Sequence, residues 1–75
     1  MDHGPGHARR LVAANTRRLR KANNLSQEGL ADASGLHRTF IGRIERGENN
    51  ISVDSLEKVA TAMRADLTEF FKPLA

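Results

Sequence analysis

The chain has no cysteine, no tryptophan and no tyrosine among its 75 residues. Without thiols, neither a disulfide nor a thiolate metal site can supplement the core, and a reducing, cytoplasmic setting is the expected one. No apolar run approaches the roughly 20 residues that a membrane span requires. The opening MDHGPGHARR also lacks the apolar stretch of a secretion signal, so no membrane partner is expected. Proline occurs only as Pro5 and Pro73, at the two ends, which leaves residues 6–72 free to be helical wherever the pattern allows. Histidine is equally sparse: His3 and His7 lie in or beside the Gly- and Pro-rich opening, with no third ligand near them. Neither a metal site, a cofactor nor an enzyme is expected from such a set.

What is present favours helix. Ten Ala and eight Leu dominate the apolar residues, against three Val and three Ile. A chain of this length has room for one small domain, which buries only about 60% of its unfolded surface. Its stability is expected to be marginal, and a partner subunit would add to it. The formal charge of +3 is unevenly distributed. Residues 9–46 hold nine Arg or Lys against three acids, a net of +6, whereas residues 47–75 hold three against five. Nine of the twelve basic residues are Arg, the side chain whose planar fork suits phosphates and guanine edges. A solvated helix face would account for the same charge equally well.

Periodicity and capping signals predict an all-α, compact five-helix bundle over residues 7–75, preceded by a flexible arm at residues 1–6. The first helix spans His7 to Ala22, with Leu11, Val12, Leu19 and Ala22 inward, and stops at Asn23 and Asn24. Ser26 caps a short second helix from Gln27 to Ser34. Gly35 makes a tight corner, a third helix runs from His37 to Arg46, and Gly47 stops it. Ser52 caps a fourth helix from Val53 to Arg64, whose Leu56, Val59, Ala60 and Met63 form an apolar stripe. Asp66 and Glu69 give a reciprocal cap to a short last helix carrying Leu67, Phe70 and Phe71, stopped by Pro73.

The informative stretch runs from Gln27 to Ile44. Ala31 is small where two helices of a corner approach, Gly35 makes the corner, and Ile41 and Ile44 anchor the third helix, with Leu30 and Leu36 completing the inner face. His37, Arg38, Thr39 and Arg43 are left pointing outward. The runs LSQEGLADASGL and HRTFIGRIERGENNIS resemble the helix-turn-helix of the Cro and phage-repressor (Xre) family of bacterial DNA-binding proteins. The likeness covers residues 8–72 and includes RRLR before the corner and SLEKVATAM leading into DLTEFF. Within that family, the run RTFIGRIER and the short all-helical length are most similar to controller proteins of restriction-modification systems.

The resemblance implies a lambda-repressor-like domain that regulates transcription by binding double-stranded DNA, with the third helix in the major groove and the second across the backbone. Arg38 would fork onto a guanine, Thr39 would meet a base edge or a thymine methyl, and Arg43 would be a third base-reading residue. Gln27, with Ser26 and His37 near it, would hold the DNA backbone, flanked by Arg17, Arg18, Arg46, Asn49 and Asn50. Arg20 and Glu45 align with a structural pair behind the corner, bridging the first and third helices. Phe40 either packs inward or touches a thymine methyl. Gly42 either lets the backbone approach DNA or relieves crowding against another helix.

One short helix reads only a few base pairs, so the resemblance also implies a homodimer on a palindromic operator, with half-sites roughly 34 Å apart. Phe70 is expected in the monomer core, with Phe71, Leu74 and Leu67 at the dimer interface. RNA polymerase is a further partner to expect of a regulator placed at a promoter. The competing reading is an antitoxin or other protein-interaction module built on the same fold.

Overall fold

The computed structural model describes residues 4, 6–48 and 50–74. The expectations for residues 1–3 and 5 of the arm, and for Asn49, lie outside the described residues. Four α-helices, α1 (His7–Ala22), α2 (Gln27–Ser34), α3 (Arg38–Glu45) and α4 (Val53–Ala62), are followed by a 3-10 helix at Leu67–Phe71. The helices form a compact all-α bundle. α1 packs against α3 and the 3-10 helix, and α2 packs against α3 and α4. Leu30, Ile41, Val59 and Phe70 are fully buried at the centre. Burial of one such side chain contributes about 1.5–3 kcal/mol, a large share of what holds so small a domain together.

The starts of the helices follow local chemistry. Ser26 accepts from the Gly29 N–H, Ser52 from the Ser55 N–H and Asp66 from the Thr68 N–H, each satisfying a donor that the first turn leaves open. The ends share one device. In every α-helix a residue just beyond the end donates back to a carbonyl of the last turn: Leu25 to Arg20, Leu36 to Ala31, Glu48 to Arg43 and Ala65 to Ala60. The residue directly before the donor is left-handed in each case, at Asn24, Gly35, Gly47 and Arg64.

Four expectations need correction. The fifth helix is a 3-10 helix of five residues, since Lys72 precedes Pro73 and is extended (φ −63°, ψ 138°), leaving too little chain for an α-turn to propagate. Glu69 does not return to cap Asp66; its carboxylate pairs with Lys72 and Arg18 instead. α4 ends at Ala62, because Arg64 adopts φ 52° and turns the chain. On α1, Ala22 is exposed and Leu11 half-buried, whereas Ala13, Asn15 and Thr16 join Val12 and Leu19 inside. α1 lies between α3 and the 3-10 helix, so it buries two faces rather than one stripe. Buried Asn15 is satisfied by donating to the carbonyls of Leu11, Phe70 and Lys72, which ties the C-terminal turn to α1.

Candidate nucleic-acid interface

Residues of α3 divide by face. At about 3.6 residues per turn, Ile41, Ile44 and Glu45 point inward and are buried, while Arg38, Thr39 and Arg43 point outward and are exposed. His37 is the N-cap of α3, makes no side-chain cap bond, and is exposed. Phe40 is half-buried against the core. Its packing role is thus visible, and it stands apart from the exposed face.

Gly42 is buried although it lies on the outward side of α3. A Cβ there would stand 3.1 Å from Arg46 Nη1 and 3.8 Å from Gln27 Oε1. The space beside Gly42 is therefore occupied by the end of the Arg46 side chain, with Gln27 of α2 in ordinary contact. Arg46 itself is half-exposed, with its Nε donating to Glu48 Oε2 at 2.9 Å. That hydrogen bond, against a small desolvation cost, holds the Glu48 carboxyl below the ordinary carboxylate range.

Behind the outward face, Glu45 is held by three side chains from α1 and α2. Arg20 donates from Nε to Oε2 at 2.6 Å and from Nη2 to Oε1 at 3.0 Å, and its Nη1 reaches the Leu25 carbonyl. Gln27 Nε2 donates to Glu45 Oε1 at 3.2 Å, tying the first residue of α2 to the end of α3. Arg17 donates to the backbone carbonyl of Glu45 and lies 3.9 Å from its carboxylate. Burial pushes the Glu45 carboxyl up, but the bonds from Arg20 and Gln27 and the charges of Arg20 and Arg17 together outweigh it and hold the group below its ordinary value. The network locks the angle between α2 and α3 and keeps Gln27 beside the outward face.

The remaining residues named from the sequence fall on different surfaces. Arg17 is exposed near the α3 end, and Ser26 is exposed with its hydroxyl engaged as the α2 cap. Arg18 is not with them. Its guanidinium bonds Asn15, the Glu69 carbonyl and the Glu69 carboxylate at the 3-10 helix, because adjacent residues of a helix point about 100° apart. Asn50 is exposed at the edge of an apolar cleft of about 200 Å³ lined by Ala8, Val12, Ile51, Val53, Leu56 and Phe71. Phe71 is 46% exposed and Leu74 54%, whereas Leu67 is partly buried against the core. Val53, 74% exposed, joins Phe71 at this cleft and was not singled out from the sequence. Its spacing from Leu56 continues the α4 stripe, and only its place in the first turn leaves it uncovered.

Among the described residues, no group of three or more His, Asp or Glu gathers to hold a metal ion, and no helix is long and apolar enough to cross a membrane.

Known proteins agree with this geometry. A family model described as helix-turn-helix matches residues 17–70. The chain is 47% identical over 57 residues to control protein C.SmaI of Serratia marcescens, covering 76% of this chain and 68% of that protein. It is 42% identical over 66 residues to control protein C.BamHI of Bacillus amyloliquefaciens, covering 83% and 82% respectively. The crystal structure of the restriction-modification controller protein C.AhdI from Aeromonas hydrophila matches with a TM-score of 0.81 at 41% identity, over 84% of this chain and 96% of that one.

Proposed function

This chain belongs to the helix-turn-helix family of non-catalytic DNA-binding regulators, closely related to restriction-modification controller proteins, and from that premise we propose that it is a sequence-specific regulator whose homodimer reads a palindromic operator. α3 enters the major groove, with Arg38, Thr39 and Arg43 toward base edges. Gln27, Arg17 and Arg46 hold the flanking phosphates, with the exposed Ser26 and His37 and the Asn50 loop beside them. The observation that carries the reading is the two-sidedness of α3: the inner face is pinned by buried Ile41, Ile44 and Glu45, and the outer face presents two arginines and a threonine to solvent.

Two copies are needed because eight helical residues span only a few base pairs. The exposed apolar surface of Phe71, Leu74 and Val53 supports a second copy of this chain as the occupant of that face. A dimer at a promoter acts by occupancy, by contact with RNA polymerase or both. The likeness to control proteins supports a role in setting the transcription of restriction-modification genes.

Selection of bound duplexes from a random library tests the proposal, with wild type and Arg38→Ala run in parallel. Wild type is expected to recover an inverted repeat. Arg38→Ala is expected to lose about 1–3 kcal/mol of specific binding and to relax preference at one position of each half-site. A library recovered without enrichment by wild type, or undiminished discrimination by the variant, contradicts the assignment.

A further inference from the structure

We propose that Glu48 is an internal competitor of the DNA backbone: its carboxylate occupies the anion position on Arg46 in the free protein and gives way to a phosphate when duplex binds. This rests on the DNA-binding reading above and names a residue that limits its affinity.

The geometry is built rather than incidental. Arg46 lies across Gly42 on the outward side of α3, where the missing Cβ gives its guanidinium room. Glu48 is set beside it by the backbone. Gly47 takes a left-handed conformation (φ 71°), and the Glu48 N–H donates to the Arg43 carbonyl at 3.0 Å, which fixes the first residues after the helix. The carboxylate then meets Arg46 Nε at 2.9 Å and feels the charge of Arg43 as well.

This is a poor place for an acid on grounds of stability. The C-terminal end of a helix is its negative pole, and an ion pair between two half-exposed side chains gains little in water. The acid touches nothing in the core. What it does meet is Arg46, on the face assigned to DNA, with the charge of Arg43 near enough to be felt. Binding then exchanges one anion for another at Arg46: the phosphate sheds its condensed cation while the displaced Glu48 carboxylate, left unpaired beside the DNA, takes one up, so this contact releases no net cation. Glu48→Gln leaves Arg46 open to a phosphate without a competitor.

The experiment is a fluorescence-anisotropy titration of a short duplex of scrambled sequence with wild type, Glu48→Gln, Arg46→Gln and the double variant, across a range of salt concentrations. A scrambled duplex suffices because phosphate contacts carry no base information. Glu48→Gln is expected to bind more tightly and to steepen the plot of log affinity against log salt by about 0.9, because the cation shed at the Arg46 phosphate is then no longer offset by uptake at a carboxylate. Its advantage over wild type should therefore shrink about 3.5-fold between about 50 and 200 mM salt. In the Arg46→Gln background the same substitution is expected to leave the slope unaltered. Equal slopes for wild type and Glu48→Gln overturn the inference, as does a steepening that persists without Arg46. These results leave the DNA reading intact, since they presuppose salt-dependent binding by wild type. Wild type that binds no duplex at any salt overturns both.

Discussion

Glu45 shows how one buried charge organises the surface in front of it. Its carboxylate is 3% exposed and is met by Arg20, Gln27 and Arg17, which come from α1 and α2. Glu45→Ala is expected to cost about 3–5 kcal/mol in urea unfolding, because it strands the Arg20 guanidinium without its fork of bonds. The pH dependence follows from the sign of the shift. The folded group titrates below the ordinary value of 4.5, so its contribution is fully present above that value and is lost as pH falls through the lower, folded one. Unfolding free energy of wild type is expected to drop more steeply below about pH 4.5 than that of Glu45→Gln; matching profiles would contradict it. The Arg20 and Glu45 pairing was legible only through family resemblance. The share taken by Gln27 was not, since nothing in the spacing of α2 and α3 says that an amide and a carboxylate 18 positions apart will meet.

Among the elements, helix starts and stops were the most legible features, and Arg64 shows where legibility failed. Gly35, Gly47 and Asn24 announce left-handed positions because those residue types tolerate them. Arg64 carries no such signal, and the periodicity of α4 runs past it. It is left-handed because buried Met63 and half-buried Ala65, on either side, must both face the body of the bundle. A side chain in that conformation costs roughly 1–2 kcal/mol, and glycine gives back about 0.5–1 kcal/mol in lost chain entropy. Arg64→Gly is therefore expected to stabilise the domain by about 0.5–1 kcal/mol, raising the melting temperature by several degrees in a calorimetric scan. A lower melting temperature would show that the position is not strained. The 3-10 helix was also misread in kind, because capping signals mark where a helix begins and say little about which helix follows.

Over the whole molecule, the outer face of α3 and the exposed apolar side chains lie on different elements. Three of the exposed arginines, Arg38, Arg43 and Arg46, lie on and after α3, while Val53, Phe71 and Leu74 leave apolar area on α4 and the C-terminal turn. Phe71→Asp places a charge in the proposed dimer face without disturbing Phe70, which is fully buried next to it. Sedimentation velocity is expected to show wild type as a dimer and Phe71→Asp as a monomer with an unaltered helical circular-dichroism spectrum. Affinity for an inverted-repeat duplex should fall with it, while binding to a lone half-site should not. A variant that still sediments as a dimer would move the interface elsewhere.

The sequence by itself determined the helices of the corner and their order, because caps, left-handed glycines and apolar spacing act over at most a turn or two of chain. It also determined that Arg38, Thr39 and Arg43 would share the outer face of α3, since Ile41 and Ile44 on that short helix can bury only one side. Tertiary structure decided the rest. It sent Arg17 to the end of α3 and its neighbour Arg18 to the 3-10 helix, and it buried Asn15 to hold carbonyls more than fifty residues away. It also turned Arg46 back over Gly42 to meet Glu48. Those outcomes depend on which distant groups a folded chain brings within hydrogen-bond reach, and that distance is set by the packing of all the helices together rather than by any stretch of residues alone.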